Sequence, residues 1–171
     1  MKGDPAQSGD DRLLAFEVGT SAYALPIESV VEVAEADRVT CVPGMPADVA
    51  GVMNWHGDPL TLISSQLLLA SAEGGKDEVT SGEEDSSVAA EGILRAQVLV
   101  LSDRADEPAR LGMPVDRVLG LVPGGSRPGR AQSVVVERRP VDGRVVSVLD
   151  PQGLVARAVE VIERAVGEAA A

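Results

Sequence analysis

Apolar positions in the first half of the chain come in short runs separated by turn residues. Leu13 to Val18, interrupted only by Glu17, is followed by Gly19-Thr20-Ser21, and Ala22 to Ile27 resumes the run, which predicts an antiparallel hairpin. Val30, Val31 and Val33, with Glu32 among them, read as a third strand, because β-branched residues suit a pleated surface. Val39 to Val42 reads as a fourth, stopped by Pro43-Gly44 and Pro46. Ala47 to Ala50 reads as one helical turn. Gly51 to Trp55 reads as a further strand that turns at His56-Gly57-Asp58 and returns through Leu60 to Ile63. Ser64 or Ser65 then caps a short helix ending at Leu69. Such a succession of short β segments predicts a small barrel rather than a parallel α/β sheet.

From Ser71 to Gly92 the pattern changes. Glu73, Asp77, Glu78, Glu83, Glu84, Asp85 and Glu91 face the single Lys76 among glycines and serines, which predicts a solvated, flexible acidic loop. Apolar runs return at Ile93 to Leu101, which pairs with Ala109 to Val115 across Asp103 to Pro108, and continue from Val115 to Val122. Ser133 to Glu137 and Arg144 to Leu149 are further strands, the latter entered through the turn Asp142-Gly143. The expectation is two small barrels on either side of one loop. Leu154, Val155, Ala158, Val159, Val161, Ile162, Ala165 and Val166 then recur at helical spacing, opposite Arg157, Glu160, Glu163 and Arg164. That predicts an amphipathic helix from about Pro151 to about Gly167, its apolar stripe packed on the barrels. The organisation read this way is a disordered tail at 1–11, one domain over 12–166 interrupted by the loop at 71–92, and a frayed end at 167–171.

Composition narrows the function. In 171 residues, 27 acidic against 15 basic side chains give a net charge of −12, which disfavours nucleic acid and anionic membrane surfaces. Hydrophobic residues at 44% supply a core, and because Phe16, Tyr23 and Trp55 are the only aromatics, that core must be aliphatic. No apolar run approaches the ~20 residues that cross a bilayer, and residues 1–11 hold no signal-peptide core, so a cytoplasmic protein without membrane insertion is expected. Metal-ligand spacings, a phosphate-binding loop and a G-x-S-x-G elbow are all missing, and no cofactor is expected. Candidates for nucleophilic chemistry reduce to Cys41 and His56, each alone of its kind. Cys41, alternating with strand valines, is expected to be a buried small hydrophobe. An enzyme is not the expected reading.

The order of segments resembles a known family. Tyr23-Ala24-Leu25-Pro26-Ile27-Glu28-Ser29-Val30-Val31-Glu32-Val33 is similar to the Y-x-hydrophobic-x-I-x-x-V-x-E-hydrophobic pattern of CheW-like domains. Val39-Thr40-Cys41-Val42-Pro43 resembles their V-T-x-hydrophobic-P strand, and Gly51-Val52-Met53-Asn54-Trp55-His56-Gly57 their G-V-hydrophobic-N-L-R-G signature. Gly112-Met113-Pro114-Val115-Asp116-Arg117-Val118 resembles the G-hydrophobic-x-V-D-x-V motif, and Asp142-Gly143-Arg144 the entry to the closing strand and helix. The resemblance covers roughly 13–70 and 93–166.

It implies a mainly β fold of two intertwined small five-stranded SH3-like β-barrels with a C-terminal amphipathic helix. It implies a non-catalytic signalling adaptor that couples the cytoplasmic tips of methyl-accepting chemoreceptors to the regulatory domain of a CheA-like histidine kinase, in membrane-associated receptor arrays. The alternative is a divergent scaffold that binds one of these partners or serves a separate two-component pathway. Val30, Glu32 and Val39 match a strand face the family uses for partner contact, and Gly51 and Gly57 match the glycines around the signature strand. His56, Gly57, Val115 and Val118 complete the expected partner-binding set. His56 stands where the family has arginine, and Ser64-Ser65-Gln66 where it has D-L-R. The stretch from Val122 to Val141 is short, so a trimmed barrel strand is expected there.

Overall fold

The computed structural model describes residues 12–36, 38–43, 49, 51–70, 97–102, 111–124 and 134–169. Strands β1 (Arg12–Val18) and β2 (Ser21–Pro26) pair antiparallel through the turn Gly19-Thr20. They are followed by β3 (Val30–Glu35), β4 (Val39–Thr40), β5 (Gly51–Trp55), β6 (Asp58–Leu62) and the short helix α1 (Ser65–Leu69). Then come β7 (Gln97–Leu101), β8 (Leu111–Val115), β9 (Arg117–Pro123), β10 (Val135–Val141) and β11 (Arg144–Leu149). Helix α2 (Pro151–Ala169) ends the described chain. A first sheet has five strands in the order β10-β11-β2-β1-β9, and a second has six in the order β3-β7-β8-β6-β5-β4.

This partition corrects the expectation of one barrel on each side of 71–92. The first sheet takes β1 and β2 from one end of the chain and β9 to β11 from the other, joined by a parallel pairing of β2 with β11. The second takes the middle, so the acidic stretch interrupts the second sheet instead of separating the two. The runs of apolar residues explain how. Neighbours on a strand point to opposite faces, and here both faces are covered. Leu13, Ala15, Ala22 and Ala24 form one cluster with Val146 and Val148 of the same sheet. Leu14, Phe16, Tyr23 and Leu25 point the other way, into a core shared with Leu99, Leu101 and Met113 of the second sheet and Leu154, Ala158 and Val161 of α2. Each large side chain so buried contributes about 1.5–3 kcal/mol.

The mainly β fold with a closing amphipathic helix is as the sequence implies, but neither sheet closes through a strand ladder among the described residues. In the first, Val122 of edge strand β9 packs on the same cluster as Val136 and Val141 of edge strand β10, and Arg139 Nη1 donates to the Pro123 carbonyl at 3.3 Å. In the second, Ala34 of β3 and Val39 of β4 pack on one cluster around Leu60, Leu62, Val98 and Val100. Each sheet is therefore curled around its own apolar cluster with a seam left open. β4 is only 2 residues long, too short to complete a ladder along β3. The strand expected to be trimmed is not: β10 spans 7 residues.

Cys41 is exposed, not buried as expected, because β4 stops at Thr40 and Pro43 prevents its extension. Ser64 occupies the position before α1, but its side chain makes no capping hydrogen bond. α2 begins as its sequence dictates, with Pro151 at the first helical position and Asp150 Oδ2 accepting the Gly153 N–H at 3.1 Å. It runs on to Ala169, past Gly167, since nothing after that glycine forces a stop. The tail at 1–11, the loop at 71–92 and, Val49 apart, the helical turn at 47–50 lie outside the described residues. Among the described residues no helix is long and apolar enough to cross a membrane.

Candidate functional site

The open seam of the second sheet brings together residues far apart in sequence. Along β3, Val30, Glu32 and Ala34 are half-buried while Val31, Val33 and Glu35 are exposed. Across the seam, β4 pairs with β5 only at Met53 and Val52, which leaves the Trp55 end of β5 uncovered. Glu32 fills that gap. Its Oε2 accepts the Trp55 indole N–H at 3.0 Å and lies 2.7 Å from His56 Nε2. The two rings meet edge to face with centroids 5.0 Å apart. The His56 hydrogen bond first, then that of Trp55, holds the Glu32 carboxyl below the usual carboxylate range, against a smaller opposing effect of desolvation.

Local backbone chemistry sets this geometry. Trp55 pairs with Asp58, so His56 and Gly57 form a two-residue hairpin loop with φ of 50° and 96°. Such loops need left-handed backbone at both positions. Gly57 adopts it freely, and histidine tolerates it better than most side chains. Asn54 Oδ1 accepts the Gly57 N–H at 2.8 Å and fixes the turn. The turn therefore presents the imidazole beside Glu32.

The other residues expected to bind a partner are distributed differently. Val30 packs against the shared core and Val39 against the second sheet's own cluster, both half-buried. Val115, 2% exposed, lies inside the core and has no surface to offer. Val118 is half-buried, its N–H donating to Gln97 Oε1 at 2.8 Å. The structure thus brings Glu32 and His56 together and leaves Val115 and Val118 elsewhere. The sequence reading missed Trp55 as a partner of Glu32, and it missed Val31 and Val33, exposed at 47% and 39%. The signal was there: if Glu32 points into the seam, its neighbours on the strand point out.

A second polar cluster joins β1, β9 and β11. Glu17 Oε2 accepts from Arg117 Nη2 at 2.8 Å and from its Nε at 3.1 Å, while Glu17 Oε1 pairs with Arg144 Nη1. Arg144, then Arg117, holds the Glu17 carboxyl below its usual range against desolvation. Asp116 Oδ2 accepts the Gly19 N–H at 2.6 Å, tying the first hairpin to the start of β9. Among the described residues no three His, Cys, Asp or Glu side chains gather as metal ligands would.

A protein-family model described as the CheW-like domain matches residues 12–159. Among solved structures, the scaffolding protein TtCheW from Thermoanaerobacter tengcongensis is similar in fold, with a TM-score of 0.59 at 14% sequence identity, over 87% of this chain and 90% of that one. No curated protein matches the chain in sequence.

Proposed function

The chain belongs to the CheW-like domain family of non-catalytic scaffolds, and from that premise we propose that it is a cytoplasmic adaptor between receptor tips and a kinase. Its partners on this reading are the tips of methyl-accepting chemoreceptors and the regulatory domain of a CheA-like histidine kinase. The observation that carries the reading is the outer face of β3, where Val31 and Val33 are exposed beside the Glu32–Trp55–His56 contact. An edge strand with exposed β-branched residues offers both backbone groups and apolar surface to a partner. Glu32, held at the seam by two donors, keeps that strand in place.

Calorimetric titration against the kinase regulatory domain and against a receptor-tip fragment tests the proposal. Saturable binding to both is expected, and Val31→Asp should weaken at least one by about tenfold or more while the melting temperature stays put. Binding to neither overturns the adaptor reading. Val39→Asp is a poorer probe, because Val39 also packs on the second sheet's cluster.

One observation favours the narrower alternative of a scaffold that binds one partner or serves a separate two-component pathway. His56 stands where the family signature has arginine, and its Nε2 is engaged by Glu32. An imidazole cannot offer the planar fork of a guanidinium to a partner carboxylate. His56→Arg that raises affinity for the family's partners identifies a specificity device. Unchanged affinity in a stably folded variant removes that reading.

A further inference from the structure

We propose that the seam of the second sheet is a pH-sensitive clasp: a proton added to His56 tightens its hold on Glu32 and so fixes β3, the strand whose outer face the adaptor reading assigns to a partner. The regulation of partner binding rests on that reading, whereas the clasp itself does not. β3 has a ladder neighbour, β7, on one side only, and the Glu32 contact is what holds its other side. The chain has a single histidine, and it sits at this contact. Histidine is the side chain that ordinarily changes charge between about pH 5 and about pH 8.

The geometry dictates where the proton goes. The Glu32 carboxyl is held below the usual carboxylate range, so across that interval it is an anion that only accepts hydrogen bonds. His56 Nε2, 2.7 Å from Glu32 Oε2, therefore carries a hydrogen whether the ring is neutral or charged. An added proton enters at Nδ1 and turns a neutral donor into an imidazolium without moving the turn, which the Asn54–Gly57 bond and the β5–β6 pairing fix independently. A charge-assisted hydrogen bond is shorter and stronger than its neutral counterpart. Oε2 also accepts the Trp55 indole N–H at 3.0 Å, so both donors pull β3 toward the same hairpin.

The described charged side chains on the elements that meet here are Glu28 in the turn before β3, Glu35 at its end, Arg38 before β4 and Asp58 opening β6, while β5 and β7 carry none. Among the described residues, Glu32 is the acidic group within ion-pair distance of the imidazole. The His56 and Glu32 side chains are 67% and 40% exposed, so water screens the pair and the effect is modest. Exposed ion pairs change an equilibrium by about twofold to fivefold, and that is the size expected for the hold on β3. An arginine at this position stays charged throughout and makes a clasp that does not respond to pH.

Hydrogen exchange of the backbone amides over 30–35 in the full chain, at about pH 5.5 and about pH 8 and corrected for intrinsic rates, tests the clasp. Protection in the parent should be about twofold to fivefold higher at the lower pH. His56→Asn removes the titrating ring and leaves Asn-Gly, a pair that two-residue hairpin loops favour, so folding is kept. That variant and Glu32→Gln should each lose the pH difference, and His56→Arg should keep the higher protection at both values. Equal protection of the parent at both, or a difference that survives in His56→Asn or Glu32→Gln, overturns the proposal. Calorimetric titration of the receptor-tip fragment and the kinase regulatory domain at the same two pH values reads the consequence. The parent should gain on His56→Asn in affinity for a partner at the lower pH, because a fixed strand has less ordering left to lose on docking. A parent-to-variant affinity ratio that ignores pH overturns the regulation. PH-dependent protection without binding to either partner overturns the adaptor reading and leaves the clasp standing.

Discussion

Replacing Gly112 by alanine probes the ladder contact that joins the two halves of the second sheet. β6 and β8 touch in register only at Leu62↔Gly112, and the Ile63 N–H donates to the Gly112 carbonyl at 3.0 Å. A Cβ built on Gly112 would sit inside the contact distance of Leu62 Cδ2, 3.0 Å from Val98 Cγ1 and 3.1 Å from Leu60 Cδ2. Leu62 and Val98 are both 0% exposed, so neither swings away into solvent. Overpacking of this kind costs about 1–3 kcal/mol. Opposing it, alanine narrows the unfolded ensemble, and the backbone of Gly112 is not left-handed, which returns about 0.4–1 kcal/mol. The steric term wins, with a net loss of about 1–2 kcal/mol. For a domain of this size each kcal/mol moves the melting temperature by about 2–4 °C, so Gly112→Ala should melt about 2–8 °C lower.

Thermal and urea denaturation followed by circular dichroism measure that loss. Leu62→Ala provides the control: alone it costs about 2–5 kcal/mol through the cavity it leaves. Combined with Gly112→Ala, the new methyl enters that cavity and its closest clash is relieved while the tighter approaches to Val98 and Leu60 persist, so the double variant should lose about 1 kcal/mol less than the sum of the singles. A Gly112→Ala variant as stable as the parent, or strict additivity, refutes the packing argument.

Other outcomes follow from the polar contacts. The Glu32 carboxyl is held below its usual range in the folded protein, so its contribution is present above the unfolded carboxylate range and is lost as pH falls through the folded value. With one tryptophan in the chain, the indole N–H resonance reports this directly: it should shift on acidification below the ordinary glutamate range and, at neutral pH, in Glu32→Gln; a resonance indifferent to both refutes the seam contact. Glu17 titrates with the same sign, and Arg144→Gln should raise its folded value toward the ordinary range, read by 13C carboxyl shifts. Exposed Cys41 should react with a thiol reagent in the native protein at nearly the rate of the unfolded chain; a much faster reaction would signal an activated thiolate and reopen catalysis.

The two seams share a construction. In each sheet an edge-to-edge ladder is absent among the described residues and a side-chain hydrogen bond spans the gap, Arg139 to the Pro123 carbonyl in the first and Glu32 to Trp55 and His56 in the second. Such contacts hold a sheet curled while leaving strand edges that another chain can use. β3 is one such edge, and exposed Val31 and Val33 lie on it.

Much was written locally in the sequence. The hairpin turns at Gly19-Thr20, His56-Gly57 and Asp142-Gly143 follow from residues that accept left-handed backbone, with φ of 60° at Gly19, 48° at Asp142 and 79° at Gly143. The closing helix follows from its apolar spacing and from Asp150-Pro151. The ordered motifs over 13–70 and 93–166 pointed to the CheW-like family without any structure. Only the tertiary structure decided which strands share a sheet, because a strand covered on both faces has no alternation to show which side is which. It sent β1 and β2 to the chain's far end, sank Val115 into the core and left Cys41 outside it. It also set Glu32 against an imidazole 24 positions away, a contact that no local period encodes, since it depends on β4 being too short to stand between them.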